Sequence, residues 1–131
     1  ELKNQFEFHG KLEYIFLEKK EKIYIVSQAL NFLNIEKMNI NTIGLYFAKR
    51  EGSGIRPSIE GAQMIGSQCE KNILYLNNPK EWMEGKDIET DQPLRGTVLV
   101  VYKKDFLGAG IYKNKKVINC IQKSRRIRNY K

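Results

Sequence analysis

Short apolar segments rich in β-branched and aromatic residues recur along the chain and constrain its fold more than any other feature. Charged or glycine-containing turns separate these segments, as in the run Glu51-Gly52-Ser53-Gly54. Segments of this length and composition are typical of strands, and their close spacing favours a small barrel. The predicted strands cover residues 12–17, 23–26, 43–49, 55–57, 72–76, 97–102, 106–112 and 117–121.

Two short helices are predicted between the later strands. Ser58 can cap a helix that runs to about Ile65 and is closed by Gly66. Pro79 fits the first turn of another helix, which ends at Gly85. The pattern therefore predicts an α+β fold, in which a mixed β pseudobarrel with two short helices follows a small N-terminal α+β piece.

The N-terminal piece is predicted to be a unit of its own. Its two strands form a hairpin around the charged residues 18–22, and Ser27 can cap a short helix after them. An Asn-rich stretch follows, and we place a soft boundary near residues 39–42. The predicted domains are residues 1–42 and residues 43–131. The apolar residues of the helix after Ser27 are Ala29, Leu30, Phe32 and Leu33.

The positive charge of the chain is concentrated at its C-terminus. The formal net charge is +8, from 23 basic and 15 acidic residues among 131. Residues 113–131 contain eight of the basic residues and no acidic one, so the rest of the chain is neutral. A local positive field of this kind attracts polyanions by releasing their counterions. The alternative is a solvated basic tail, although three arginines with Ile127 and Tyr130 between and after them favour binding.

The sequence is poor in the groups that catalysis requires. His9 is the single histidine, and Cys69 and Cys120 have neither Cys-x-x-Cys spacing nor a histidine close by. Gly108 and Gly110 lie in a predicted strand and lack the third glycine of a dinucleotide fingerprint, so a barrel kink explains them better. We therefore predict a protein without catalytic residues, metal or cofactor.

Two further expectations concern the compartment. The longest apolar run, residues 98–102, is far too short to span a membrane, and the N-terminus lacks a secretion signal pattern. Two cysteines in unrelated contexts do not form a disulfide framework. The expected protein is cytoplasmic, reduced and without a membrane partner.

A series of motifs follows along the second predicted domain, at residues 44–49, 55–66, 71–76, 82–88, 96–102, 106–110 and 122–126. In this order the motifs resemble a PUA-like RNA-binding domain. The resemblance is greatest to the C-terminal PUA-like domain of RNA cytosine methyltransferases of the Sun/nucleolar-protein family. It extends from about residue 43 to residue 127, with a weaker extension through residues 12–26.

The resemblance implies a pseudobarrel that recognises structured RNA, tRNA or rRNA. In such domains the first helix, its flanking strands and a late strand contact RNA, and the basic ending would lengthen that contact. The capped helix start at Ser58 would offer backbone N–H groups to a phosphate, although close packing explains Gly61 at least as well. The candidate RNA-binding residues are Lys49, Arg50, Arg56, Ser58, Gln63, Lys71, Lys123, Arg125, Arg126 and Arg128.

The methyltransferase activity of that family is not expected here. The chain lacks the family's Gly-rich cofactor loop and its Pro-Cys nucleophile, since Cys120 follows Asn119. The chain is then a stand-alone relative or an excised domain that works in RNA modification or ribosome biogenesis. The alternatives are an adaptor that docks an RNA-modifying enzyme, a PUA-containing ribosome-biogenesis factor, and a small enzyme, which the missing cofactor loop and nucleophile disfavour.

Overall fold

Two β-sheets and three short α-helices make up the part of the chain that the structure describes. This structure is a computed structural model, and it describes residues 2–10, 12, 14–26, 44–52, 54–121 and 123–126. The helix predicted after Ser27, the boundary at residues 39–42 and Arg128 lie outside the described residues, as do Ile127 and Tyr130. The α+β class that the sequence predicts is confirmed.

The first sheet is antiparallel and has the order β1-β2-β3-β4. The β1–β2 hairpin turns through Lys20 and Glu21, which both have positive φ, and this matches the charged turn expected there. The β2–β3 pairing joins residues on either side of the boundary predicted at 39–42. The strands of this sheet are β1 Ile15–Lys19, β2 Lys22–Val26, β3 Leu45–Glu51 and β4 Gly54–Pro57.

The second sheet is mixed and has the order β5-β7-β8-β9-β6. Strands β5 and β7 run parallel, whereas the other neighbours are antiparallel. Four of these strands lie where the sequence predicts them, and the two-residue β6 was not predicted because so short a segment has no detectable alternation. The strands are β5 Ile73–Leu76, β6 Ile88–Glu89, β7 Gly96–Tyr102, β8 Asp105–Lys113 and β9 Lys116–Asn119.

The helices are α1 Leu2–Phe6, α2 Ile59–Ile65 and α3 Lys80–Met83. Helix α2 confirms the predicted Ser58 cap, but Gly66 does not close it in a left-handed turn. Gly66 keeps right-handed helical angles, and the chain continues into a 3₁₀ turn, Gly66–Gln68. Helix α1 was not predicted, because five residues are too few to show a helical period.

Two apolar clusters form the core. The first packs Phe6 and Ile23 from the N-terminal part against Phe47, Ala62 and Leu99. The second surrounds Trp82, which is fully buried and donates its indole N–H to the Leu107 carbonyl. The first cluster thus combines residues from both predicted domains, and the division into residues 1–42 and 43–131 stays a prediction.

Gly108 and Gly110, the two glycines of β8, have the backbone conformation and close packing expected at a barrel kink. Gly108 has φ +109°, and a Cβ at Gly110 would lie 2.6 Å from the Ile118 carbonyl oxygen and 2.8 Å from the Trp82 ring. A side chain at Gly110 would therefore force β9 and Trp82 away from β8. Close approach of the strands, rather than phosphate binding, explains these glycines.

Candidate nucleic-acid interface

A groove of about 290 Å³ lies where β3 and β4 meet the start of α2 and the last 3₁₀ turn, Lys123–Arg125. Its lining contains four cationic side chains and a single carboxylate, that of Glu60. This excess of cations makes the groove suitable for an anion. The four cations are Lys22, Lys49, Arg56 and Arg125.

Three of these cations form a row across the first sheet. Lys22 of β2 is the register partner of Lys49 of β3, and Lys49 is the register partner of Arg56 of β4. Register partners point to the same face of a sheet, with their Cβ atoms about 5 Å apart. Like charges directly opposite each other destabilise a sheet. A bound anion would therefore relieve the repulsion within this row.

Glu51 holds the end of this row in place. Its carboxylate accepts two hydrogen bonds from Arg56, at 2.7 Å from Nη2 and 3.0 Å from Nε, and lies 3.6 Å from Lys49 Nζ. Arg56 also donates to the Cys120 carbonyl and is only 19% exposed. The Arg56 hydrogen bonds lower the pKa of Glu51, and the same bonds raise the pKa of Arg56. Arg56 is therefore a fixed and largely neutralised cation, whereas Lys22 and Lys49 are freer to meet a ligand.

Replacing Glu51 by glutamine is expected to lower the free energy of unfolding by about 1–2 kcal/mol at pH 7, because it removes the charged acceptor of a half-buried guanidinium. The pKa of Glu51 is lowered by folding, so its contribution is present above the unfolded value of about 4.5 and is lost as the pH falls through the folded pKa. The stability difference between wild type and Glu51→Gln should thus shrink between about pH 5 and pH 3. Urea unfolding at several pH values measures it, with Glu89→Gln, an exposed carboxylate on β6, as the control. A difference that stays constant with pH would contradict the assignment.

Ser58 has a structural role at the start of α2. Its hydroxyl donates to the Tyr46 carbonyl at 2.7 Å and accepts from the Gly61 N–H at 3.0 Å. A Cβ on Gly61 would lie 2.1 Å from the Phe47 carbonyl oxygen, so close packing of α2 on β3 accounts for this glycine. Because the Gly61 amide is taken by the cap, it is not an open donor for a phosphate. Any contact of Ser58 with RNA stays a prediction.

The basic C-terminal segment reaches the groove through one residue. Arg125 extends over the start of α2, where its Nη1 lies 2.7 Å from the Glu60 carboxylate, and it remains 47% exposed. Arg126 faces elsewhere, since its Nε donates to the Ile121 carbonyl and its side chain packs against Gly85. Lys123 is exposed on the same 3₁₀ turn and does not line the groove.

Three other sequence-predicted residues lie away from the groove. Arg50 pairs with Glu18 of β1, because it follows Lys49 directly and points to the opposite face of β3. Gln63 is exposed on α2 without lining the groove, and Lys71 lies in a separate cleft. The structure thus brings together Lys49, Arg56, Ser58 and Arg125, and separates them from Arg50, Gln63 and Lys71.

Lys22 and Tyr46 are among the groove residues that the sequence interpretation missed. The Lys22 ammonium lies 5.7 Å from the centroid of the Tyr46 ring, and Tyr24 packs on the same ring at 5.9 Å. Burial raises the pKa of Tyr46, so its hydroxyl stays neutral at physiological pH. The alternation of Lys22 and Tyr24 with buried isoleucines is visible in the sequence, but the pairing of β2 with β3, which brings Lys22 next to Tyr46 in the groove, is not.

The cysteines are held as neutral thiols. Burial raises the pKa of Cys69 to about 11, and its thiol donates to the Ile65 carbonyl. Burial also raises the pKa of Cys120, which lines the groove. Within the described residues, no three His, Cys, Asp or Glu side chains are grouped so that they could hold a metal ion. None of the described helices has the length and apolar character needed to cross a membrane.

Comparison with known families bears directly on the second sheet. Residues 74–127 match the family model of the methyltransferase RsmF PUA domain. Over these residues, the chain is similar to a PUA-like domain of the Sun/RsmF methyltransferase type. The matched residues run from β5 to the 3₁₀ turn that contains Arg125, and they supply one wall of the groove. No curated protein matches the chain.

The resemblance proposed from the motifs is confirmed for the matched residues. Its N-terminal part, residues 43–73, which includes Lys49, Arg56 and Ser58, lies before the family match and stays a prediction. The PUA-like match therefore covers the β8, Cys120 and Arg125 side of the groove. The basic row on the first sheet lies outside the family match, so the structure alone supports it.

Proposed function

We propose that this chain is an RNA-binding protein that holds structured RNA, either tRNA or rRNA, in the groove and leaves it chemically unchanged. The observation that carries the proposal is the row of Lys22, Lys49 and Arg56 across three strands, next to Arg125. The PUA-like domain supports it, because PUA domains are RNA-binding modules.

The groove suits a phosphate backbone better than a single small anion. Four cations lie on separate elements, and Glu51 and Glu60 hold the two arginines in fixed directions. Double-helical RNA presents phosphates and 2′-hydroxyls along a shallow groove and is recognised mainly by shape. Binding by such a surface draws its affinity from counterion release and has little sequence preference.

The biological setting follows from the domain type. We place the protein in RNA modification or ribosome biogenesis in the cytoplasm, where it presents RNA to a catalytic partner that acts in trans. The candidate contacts are the groove cations, extended by three basic residues of the C-terminal segment, Lys123, Arg126 and Arg128.

Binding of unfractionated tRNA, rRNA fragments and a 20-base-pair RNA duplex, measured by fluorescence anisotropy between 50 and 300 mM KCl, tests the proposal. We expect log K to fall linearly with log salt, with a slope of at least about 3 in magnitude, because each phosphate neutralised by one of the four groove cations contributes roughly 0.7 to 0.9. The RNA should be recovered with unchanged mass by mass spectrometry. Absence of binding to all three RNAs at 50 mM KCl, or recovery of modified RNA, would overturn it.

A second candidate function, docking of a partner protein, has its own observation. Tyr14, Phe16 and Leu45 are each 43–44% exposed, and Phe16 and Leu45 flank Ile25 on one face of the first sheet. An apolar surface of this kind is typical of a protein contact. Salt-insensitive capture of one RNA-modifying enzyme, lost in Phe16→Ser, together with no affinity for RNA, would favour the adaptor over the RNA-binding proposal.

A further inference from the structure

A second cleft, of about 540 Å³, lies between α1, the β3–β4 turn and the start of β7. It adjoins the groove through the β3–β4 hairpin. Glu51 lines the cleft, whereas its two partners Lys49 and Arg56 line the groove. The two concave surfaces therefore meet at one ion-paired carboxylate.

The walls of this cleft are fixed by side-chain amides. Gln5 of α1 makes two hydrogen bonds with the backbone of Ile55, one as donor at 2.9 Å and one as acceptor at 2.8 Å. Asn72 donates to the Gln5 carbonyl at 2.9 Å and accepts from the Arg95 N–H at 3.1 Å. The walls of the cleft are thus ordered before any ligand binds. Binding would therefore cost little conformational entropy for ordering these walls.

Among the charged residues that line the cleft, only the cations are open to a ligand. Lys71 and Arg95 are both exposed, and Lys71 makes one long hydrogen bond of 3.3 Å to the Asn4 carbonyl. Within the part of the chain that the structure describes, the Arg95 guanidinium contacts no acceptor, although its backbone N–H is fixed by Asn72. The one carboxylate of the lining, that of Glu51, is committed to Arg56 and Lys49.

The mouth of the cleft is open beside these cations. A Cβ built on Gly52 or on Gly96 would meet no atom within 4 Å. A chain-like ligand can therefore lie against the backbone there. The cleft is lined by a planar guanidinium and a flexible ammonium, and these groups suit a phosphodiester, which the arginine can bind through two parallel hydrogen bonds.

We propose that the cleft is a second phosphodiester subsite, in which Lys71 and Arg95 bind the backbone of the same RNA that occupies the groove. This inference rests on the proposed RNA-binding function and extends it. The RNA backbone crosses the β3–β4 hairpin, where Glu51 is already neutralised by its two partners and so repels it little. Arg95 is a new binding residue, and Lys71 binds RNA here and not in the groove.

The double variant Lys71→Gln/Arg95→Gln tests the inference, with Lys80→Gln/Lys104→Gln as a control that removes two exposed cations outside both surfaces. Unfractionated tRNA and a tetranucleotide too short to reach both surfaces are the probes, and anisotropy is measured against KCl concentration. For tRNA we expect the salt slope of the cleft variant to decrease by about 1.4 to 1.8, and affinity at 0.15 M salt to fall by about 20-fold. The control should change affinity less than about twofold, and the tetranucleotide should show no difference between cleft variant and wild type.

The outcomes separate this inference from the function on which it rests. Equal losses of tRNA affinity in the cleft and control variants would overturn the cleft while the RNA-binding function stands. So would an unchanged cleft variant beside a weakened groove variant, in which Lys22, Lys49 and Arg125 are replaced by glutamine. Failure of the wild-type protein to bind any RNA would overturn both. Thermal unfolding of each variant, expected to match the wild type because the replaced side chains are exposed, shows that a loss of binding is not a loss of fold.

Discussion

Simultaneous replacement of Lys22, Lys49 and Arg125 by glutamine is expected to weaken tRNA binding on the order of 100-fold at 0.15 M salt and to reduce the salt slope by about 2 to 3. Each of these cations is placed to neutralise one phosphate, and each neutralised phosphate contributes about fivefold to affinity at this salt concentration. Lys22 and Lys49 are register partners, and Arg125 faces them from the last 3₁₀ turn. Anisotropy titrations from 50 to 300 mM KCl measure both quantities.

The control for this variant carries the same change of charge elsewhere. Lys80, Lys86 and Lys104 are exposed, lie outside the basic C-terminal segment and line neither the groove nor the cleft, so their replacement should change affinity only a few-fold. The groove variant should unfold at about the same denaturant concentration as the wild type, because relief of the Lys22–Lys49 repulsion offsets the loss of the Arg125–Glu60 and Lys49–Glu51 ion pairs. Equal losses of affinity in both triple variants would mean that net charge, and not the groove, binds the RNA.

Gly61→Ala is expected to lower the free energy of unfolding by about 2–3 kcal/mol and the melting temperature by about 10 °C. The added methyl would lie 2.1 Å from the Phe47 carbonyl oxygen, a backbone atom that cannot rotate away, so α2 must separate from β3. The same shift would strain the Ser58 hydrogen bonds to Tyr46 and Gly61. Urea unfolding and a thermal melt give the two values.

Gln63→Ala is the matched control, because it changes an exposed position two residues further along the same helix. Alanine favours a helix slightly more than glutamine does, so this variant should stay within about 0.5 kcal/mol of the wild type. If Gly61→Ala were as stable as Gln63→Ala, the close approach of α2 to β3 would be refuted.

Local features of the fold were predictable from the sequence because their signals lie within a few residues. The β1–β2 hairpin, the Ser58 cap and the strands of the second sheet each have a turn residue or an apolar run that specifies them. Helix α1 and strand β6 are too short to produce such a signal. The order of strands, with β2 beside β3 and β5 parallel to β7, depends on long-range pairing that no local pattern encodes.

The candidate site was predicted only in part for the same reason. Lys49 and Arg50 are equally basic in the sequence, but adjacent strand residues face opposite sides, and the register selects Lys49 for the groove. Arg125 and Arg126 also differ in position. Arg125 forms an ion pair with Glu60 at the groove, whereas Arg126 donates to the Ile121 carbonyl away from it. Lys22 was overlooked because its neighbour in space, Lys49, is 27 positions away in the chain.

The pairing of β2 with β3 has a consequence for any shortened form of the protein. A fragment that began at residue 43 would leave one side of β3 without a hydrogen-bonding neighbour, and it would remove Phe6, which is fully buried. Unpaired edges of this kind recruit strands from other molecules, so the fragment is expected to self-associate through β3. It would also lack Lys22, and with it one end of the basic row. Aggregation of such a fragment with RNA could then be mistaken for specific binding.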